Sequence, residues 1–277
     1  MSGDICHVNS LKAHSIKNLG CFGKNSFDTI LGICWFKNCS EGNRFITGSS
    51  KGNIICGRTD NDPIISDYPQ FDKLTSVHLN NGNESLLVSG YAVNARIYDI
   101  QTGVITHEYK NIHSDNINIS RFCNLTPHIF ATSSFDKTIK TWDTRISCHN
   151  PQPIYTITCN TGLVMINFTN DDLFILASGL DNEIGQYYFI DGKKHLSLNI
   201  PKTGLSGNFS RSYYSKSSKY VLTGSCEEDS FKILSTYSGE VISTVDMYPG
   251  KKDDSIYIQV SITYIFIVTY ECKYINC

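Results

Sequence analysis

The sequence lacks the short signatures that would make it an enzyme. It has no glycine-rich phosphate loop, no GxSxG elbow, no HExxH pair and no paired Cys/His motif of the deaminase kind. Hydrolase, kinase and cation-channel readings therefore have no residues to rest on, and no catalytic residue, cofactor or metal ligand is expected. A charge excess is missing too. Lys and Arg number 24 against 26 Asp and Glu, giving a net charge of −2 and a pI near 6.4. Such a surface offers no global attraction for nucleic acid or an anionic membrane. The pairs Lys193-Lys194 and Lys251-Lys252 are too short to form a nucleic-acid patch. No apolar leader appears in MSGDICHVNS. The apolar stretch Ile256–Tyr270 is interrupted by polar residues and is shorter than the roughly 20 residues a membrane span needs.

Cysteine is not scarce, but paired cysteine is. The 11 thiols are odd in number and scattered, with no CxxC. They read as reduced groups packed as small apolar side chains in an intracellular protein, nuclear and/or cytoplasmic. Cys34 and Cys39 bracket CWFKNC, but no histidine follows at zinc-finger spacing, so they read as buried or loop thiols. Asn124-Leu125-Thr126 matches the N-glycosylation pattern, which carries little weight without secretion. The acidic run Glu227-Glu228-Asp229 reads as a solvated turn.

What the chain does contain is a repeat. Five segments share a β-rich apolar run, two small residues, a short polar turn and a second alternating run: Phe45–Arg58, Leu86–Asp99, Phe130–Asp143, Ile175–Tyr188 and Val221–Leu234. Taking Gly48, Ser89, Ser133, Ser178 and Gly224 as anchors, the spacings are 41, 44, 45 and 46 residues. That interval is close to the ~40–45 residues of a four-stranded propeller blade, below the ~50 of kelch repeats, and it comes without helical periodicity. Innermost strands are predicted over Ile30–Phe36, Thr75–Leu79, Ile117–Phe122, Leu163–Phe168 and Asn208–Tyr214. Outer strands are predicted over Val104–Tyr109, Ile154–Thr158, Leu196–Ile200 and Glu240–Val245, with turns at Thr102-Gly103, Asp191-Gly192 and Ser238-Gly239.

The third repeat is the most complete. His113 lies nine residues before Phe122, Thr132 follows on the next strand, Asp136 sits in the tight turn, and Trp142-Asp143 closes the third strand. On these residues the chain resembles the WD40-repeat family. That resemblance implies an all-β propeller of about five recognisable four-stranded blades, with ring closure left open. It also implies a structural relay of His113, Thr132, Asp136 and Trp142. Tyr98-Asp99 stands in for Trp-Asp in the second repeat, and the first, fourth and fifth lack the dipeptide.

The ending Trp142-Asp143-Thr144-Arg145 carries a further resemblance, over Phe130–Arg145. It is similar to the W-D-x-R box of WD40 substrate receptors of cullin-4 RING ubiquitin ligases, and Phe130–Arg145 together with Ser218–Ser230 looks like plant members of that group. The resemblance implies docking on the ligase adaptor, the damaged-DNA-binding protein 1, through Trp142, Asp143 and Arg145, with an unknown substrate protein held elsewhere. Thr141 and Thr144 stand where the family often has larger apolar residues. The alternatives are a general WD40 scaffold in another assembly, using loops around His113–Asn116 and Asp136–Lys137, or an exposed structural arginine that covers Asp143.

Three regions follow. Residues 1–26 are an N-terminal segment or an outer strand for the first blade, 27–250 hold the blades, and 251–277 form an atypical tail. The tail reads as a final strand pair or as the foreign ending of a shortened chain, the latter preferred. Its apolarity and low charge make it an aggregation hazard.

Overall fold

A computed structural model describes residues 4–8, 16–21, 29–37, 44–58, 64–198, 200–228, 230–246, 254–260 and 265–271. The regular elements among them are all β-strands. β1 (Asp4–Val8) and β2 (Ile16–Cys21) pair only with each other in a two-stranded antiparallel sheet. Blade 1 is β3 (Ile30–Trp35), β4 (Arg44–Ser49), β5 (Ile54–Arg58) and β6 (Ile64–Tyr68). Its outer strand is therefore Ile64–Tyr68, not a contribution from the first 26 residues.

Blade 2 is β7 (Leu74–Leu79), β8 (Ser85–Gly90), β9 (Ala95–Asp99) and β10 (Ile105–Tyr109). Blade 3 is β11 (Ile117–Phe122), β12 (Ile129–Ser134), β13 (Thr138–Asp143) and β14 (Tyr155–Thr158). Blade 4 is β15 (Leu163–Phe168), β16 (Phe174–Gly179), β17 (Ile184–Tyr188) and β18 (Lys194–Ser197). Blade 5 is β19 (Ser210–Tyr214), β20 (Tyr220–Ser225), β21 (Ser230–Ser235) and β22 (Val241–Asp246). A last antiparallel pair, β23 (Asp254–Val260) with β24 (Ile265–Glu271), follows. The chain divides into two compact units, Met1–Asp136 with Lys140–Ile154 and Lys137–Ile139 with Tyr155–Cys277.

The small anchor residues have a steric reason. Gly48, Ser89, Ser133 and Ser178 each pair with the residue just after a bulge in the innermost strand, namely Gly32, Ser76, Ile119 and Met165. A Cβ on Gly48 would lie 2.2 Å from Cδ2 of Leu74, because the next blade's innermost strand packs there. Four residues past the anchor the backbone turns left-handed at Gly52, Lys137 and Asn182. The third-to-fourth strand turns of blades 2, 4 and 5 share another device. Gly103, Gly192 and Gly239, each at φ 71, donate their N–H to the carbonyls of Asp99, Tyr188 and Ser235.

In blade 4 that turn returns at once to pair Tyr187 with Lys194. The outer strand therefore ends at Ser197, earlier than the predicted Leu196–Ile200. Leu198 and Ile200 instead turn inward and join Leu176, Ile184, Tyr214 and Val221 in a core between blades 4 and 5. In the first unit, Ile46, Ile54 and Cys56 of blade 1 meet Leu74, Val77 and Leu79 of blade 2. Leu87 and Ile97 of blade 2 pack on Ile117, Phe122, Phe130 and Trp142 of blade 3. Burial of these side chains removes apolar surface worth about 25 cal/mol per Å², the term that holds blade to blade.

Candidate functional site

The structure brings His113, Thr132, Asp136 and Trp142 into one chain of hydrogen bonds. The Trp142 indole N–H donates to Thr132 Oγ1 at 2.9 Å. Thr132 Oγ1 lies 2.7 Å from His113 Nε2, and His113 Nδ1 lies 2.8 Å from Asp136 Oδ2. A neutral imidazole satisfies every member in one sense: the Thr132 hydroxyl donates to Nε2, and Nδ1–H donates to the carboxylate. Burial lowers the His113 pKa, partly offset by the Asp136 carboxylate, which fits that tautomer. The Ser114 backbone N–H also reaches Asp136 Oδ2 at 3.1 Å, and Lys140 Nζ donates to the Ile112 carbonyl at 2.7 Å. Sequence reasoning misses both, since a backbone donor leaves no residue-type signal and Lys140 lies outside the motif.

Rings enclose the indole. Phe130 stacks on Trp142 at 6.3 Å, and Tyr109 lies 6.0 Å from Trp142 and 5.1 Å from Phe130. The His113 side chain is fully buried and that of Asp136 nearly so. The pair is thus held within the blade, with a hydrogen-bond partner at each ring nitrogen of His113. Two shallow depressions, of about 300 Å³ lined by residues such as Thr158, Cys159 and Lys194 and about 350 Å³ lined by residues such as Glu108, Cys148 and His149, include none of the relay residues. Among the described residues no group of three or more His, Cys, Asp and Glu could hold a metal. Burial raises the Cys34 thiol pKa, as for a packed thiol, and Cys39 lies outside the described residues.

Trp142 and Arg145 face opposite environments. Trp142 is buried, Asp143 half-buried and Arg145 exposed. The connection from the third to the fourth strand spans five residues in blades 1, 2, 4 and 5, but residues 144–154 in blade 3. Arg145 stands at the start of this longer loop. Asp143 pins it there: the Arg145 backbone N–H and Nε both donate to Oδ1 at 2.9 Å, and Nη2 donates to Oδ2 at 2.6 Å. The guanidinium holds the Asp143 carboxyl below its usual pKa. Thr144 N–H donates to the His128 carbonyl at 2.9 Å, tying the loop to the turn between β11 and β12. This end of the blade exposes three aliphatic side chains, Leu125, Ile146 and Ile154.

Glu228 departs from the solvated-turn expectation. Its carboxylate accepts from Lys232 Nζ at 2.6 Å, Ser225 Oγ at 2.9 Å and Asn182 Nδ2 at 3.0 Å, a link between the turns of blades 4 and 5. Asp229 lies outside the described residues.

Five four-stranded antiparallel blades, a period of about 45 residues and a Trp–Thr–His–Asp relay define the class: this is a WD40-repeat β-propeller chain. Among curated proteins it is 33% identical, over 272 residues, to Protein DWD HYPERSENSITIVE TO UV-B 1 of Arabidopsis thaliana. The match covers 94% of this chain but 34% of that protein, so the chain spans about a third of its relative's length. No protein-family model matches.

Proposed function

We propose that this chain is a protein-interaction scaffold that docks on the adaptor of a cullin-4 RING ubiquitin ligase, the damaged-DNA-binding protein 1, and presents a target protein to that ligase. The observation that carries this reading is the exposed Arg145 guanidinium, oriented by Asp143 at the mouth of a loop longer than its counterparts. Arginine presents fixed donors in a fork and is favoured at interface anchors. Some of these donors meet Asp143, which leaves others to reach carbonyls or carboxylates of a partner, beside the exposed Ile146. Trp142 supports the loop from within the core, so direct contact falls to Arg145. A relative named as a DWD protein supports the same reading. In such a receptor the transfer chemistry belongs to the attached ligase, the chain supplies no active site, and its work is nuclear and/or cytoplasmic.

One observation favours a second reading, a scaffold in another assembly. Asp143 engages Arg145 through both carboxylate oxygens, the arrangement of a surface ion pair with no partner role. Co-purification separates the two. The adaptor is recovered with the wild-type chain and lost with Arg145→Ala, whose circular dichroism and melting are unchanged. Undiminished recovery with Arg145→Ala, or recovery of a different stable complex without the adaptor, removes the ligase reading.

A further inference from the structure

We infer that Asp254–Val260 is the innermost strand of a sixth blade, seated on the far face of blade 5, so that this face is an inter-blade contact within the chain and not a docking site for another protein.

The first support is interval. The innermost strands of the five blades start at Ile30, Leu74, Ile117, Leu163 and Ser210, which are 44, 43, 46 and 47 residues apart. β23 starts at Asp254, 44 residues after Ser210. It pairs antiparallel with the strand that follows it, as each innermost strand does with the second strand of its blade.

The second support is position. Within the first unit, β7 runs beside β3 and β4, and β11 beside β7 and β8. Within the second unit, β19 runs beside β15 and β16. β7, β11 and β19 thus each lie against the first two strands of the preceding blade. β23 lies against β19 and β20, the first two strands of blade 5.

The third support is the face it meets. Directly opposed residues of an antiparallel pair point to the same side of a sheet, and successive residues to opposite sides. Tyr214, Val221 and Leu234 are opposed and join the core with blade 4. Tyr213, Leu222 and Ile233, and with them Phe231 opposite Gly224, therefore face away from blade 4. Yet Tyr213, Leu222 and Phe231 are buried. An apolar face buried on the side away from blade 4 needs a cover, and β23 is the strand that runs along it. The match to the Arabidopsis protein agrees. It leaves 6% of 277 residues, about 17, outside the alignment, fewer than the 31 that follow Asp246, so the similarity extends into this segment.

Hydrogen exchange read by mass spectrometry on the full chain tests the inference. The amides of Asp254–Val260 are expected to be protected to the same order as those of Leu163–Phe168. Ile258→Pro, which removes a backbone donor in β23, is expected to speed exchange at least about tenfold in Ser210–Tyr214 and Tyr220–Ser225 as well as in β23, with Leu163–Phe168 unchanged as the control for folding. Exchange of Asp254–Val260 at the rate of an unstructured peptide in the wild-type chain overturns the inference. So does a proline variant whose blade 5 keeps its wild-type protection.

Discussion

Replacing His113 by alanine tests whether the relay holds blade 3 together. The imidazole makes two buried hydrogen bonds, to Thr132 at 2.7 Å and Asp136 at 2.8 Å. Its loss strands a hydroxyl proton and a carboxylate oxygen, and a buried polar group without its partner costs about 1–3 kcal/mol. Thr132 can turn its proton only toward the Lys140 carbonyl at 3.4 Å, a long bond, and Asp136 keeps the Ser114 N–H at 3.1 Å. Both losses therefore fall short of the full penalty, and their sum with the small cavity is about 3 kcal/mol. Urea denaturation near pH 7.5, followed by circular dichroism and by the fluorescence of Trp142 and Trp35, reads this directly. Thr132→Val alone strands the Trp142 N–H and a ring nitrogen. In the double variant one lost bond is counted once instead of twice, so its cost falls below the sum of the singles by about 1 kcal/mol. A loss under about 0.5 kcal/mol for His113→Ala, or strict additivity, would refute the relay as a coupled structural unit.

The remaining predictions concern pH and backbone. Burial holds the His113 pKa below its ordinary value and holds that of His78 well below it. Between the ordinary value, near 6.5, and the lower folded values the unfolded chain binds more protons than the folded one, so stability is complete above about pH 6.5 and declines as pH falls. Denaturation midpoints are expected to drop from pH 7.5 to 5.5, less steeply in His113→Gln, and a flat wild-type profile contradicts the assignment. Gly52 has φ +85, and a Cβ there would lie 1.8 Å from the Phe71 carbonyl oxygen, whereas Gly204 has φ +78 with nothing within 4 Å. Gly52→Ala is expected to cost at least about 2 kcal/mol and Gly204→Ala about 1 kcal/mol or less, compared by thermal melting; equal costs would mean that the clash is relieved by movement.

The blades were legible because their period is imposed by geometry that recurs. A small residue must sit where the next innermost strand packs, as Gly48 does against Leu74, and glycine recurs where the outer turn goes left-handed, as at Gly103, Gly192 and Gly239. The relay was legible for a similar reason, since only a few residue types can pass a hydrogen bond from an indole to a carboxylate. Other features follow from tertiary contact and leave weaker local marks. The end of β18 depends on Leu198 and Ile200 finding a core against Tyr214 and Val221. The role of Glu228 depends on Asn182 and Lys232, one of them 46 residues away. The strand Asp254–Val260 alternates plainly, but alternation does not set it apart from a foreign ending; its interval from Ser210, its place beside β19 and β20 and the buried face it meets do.

The central functional claim rests on one guanidinium, and the measurement that tests it most directly is a calorimetric titration of the purified chain with the purified ligase adaptor. Binding by the wild-type chain, weakened at least about tenfold by Arg145→Ala with melting unchanged and only partly restored by Arg145→Lys, is the predicted result. Equal affinity of wild type and Arg145→Ala, or no binding by either, would contradict it.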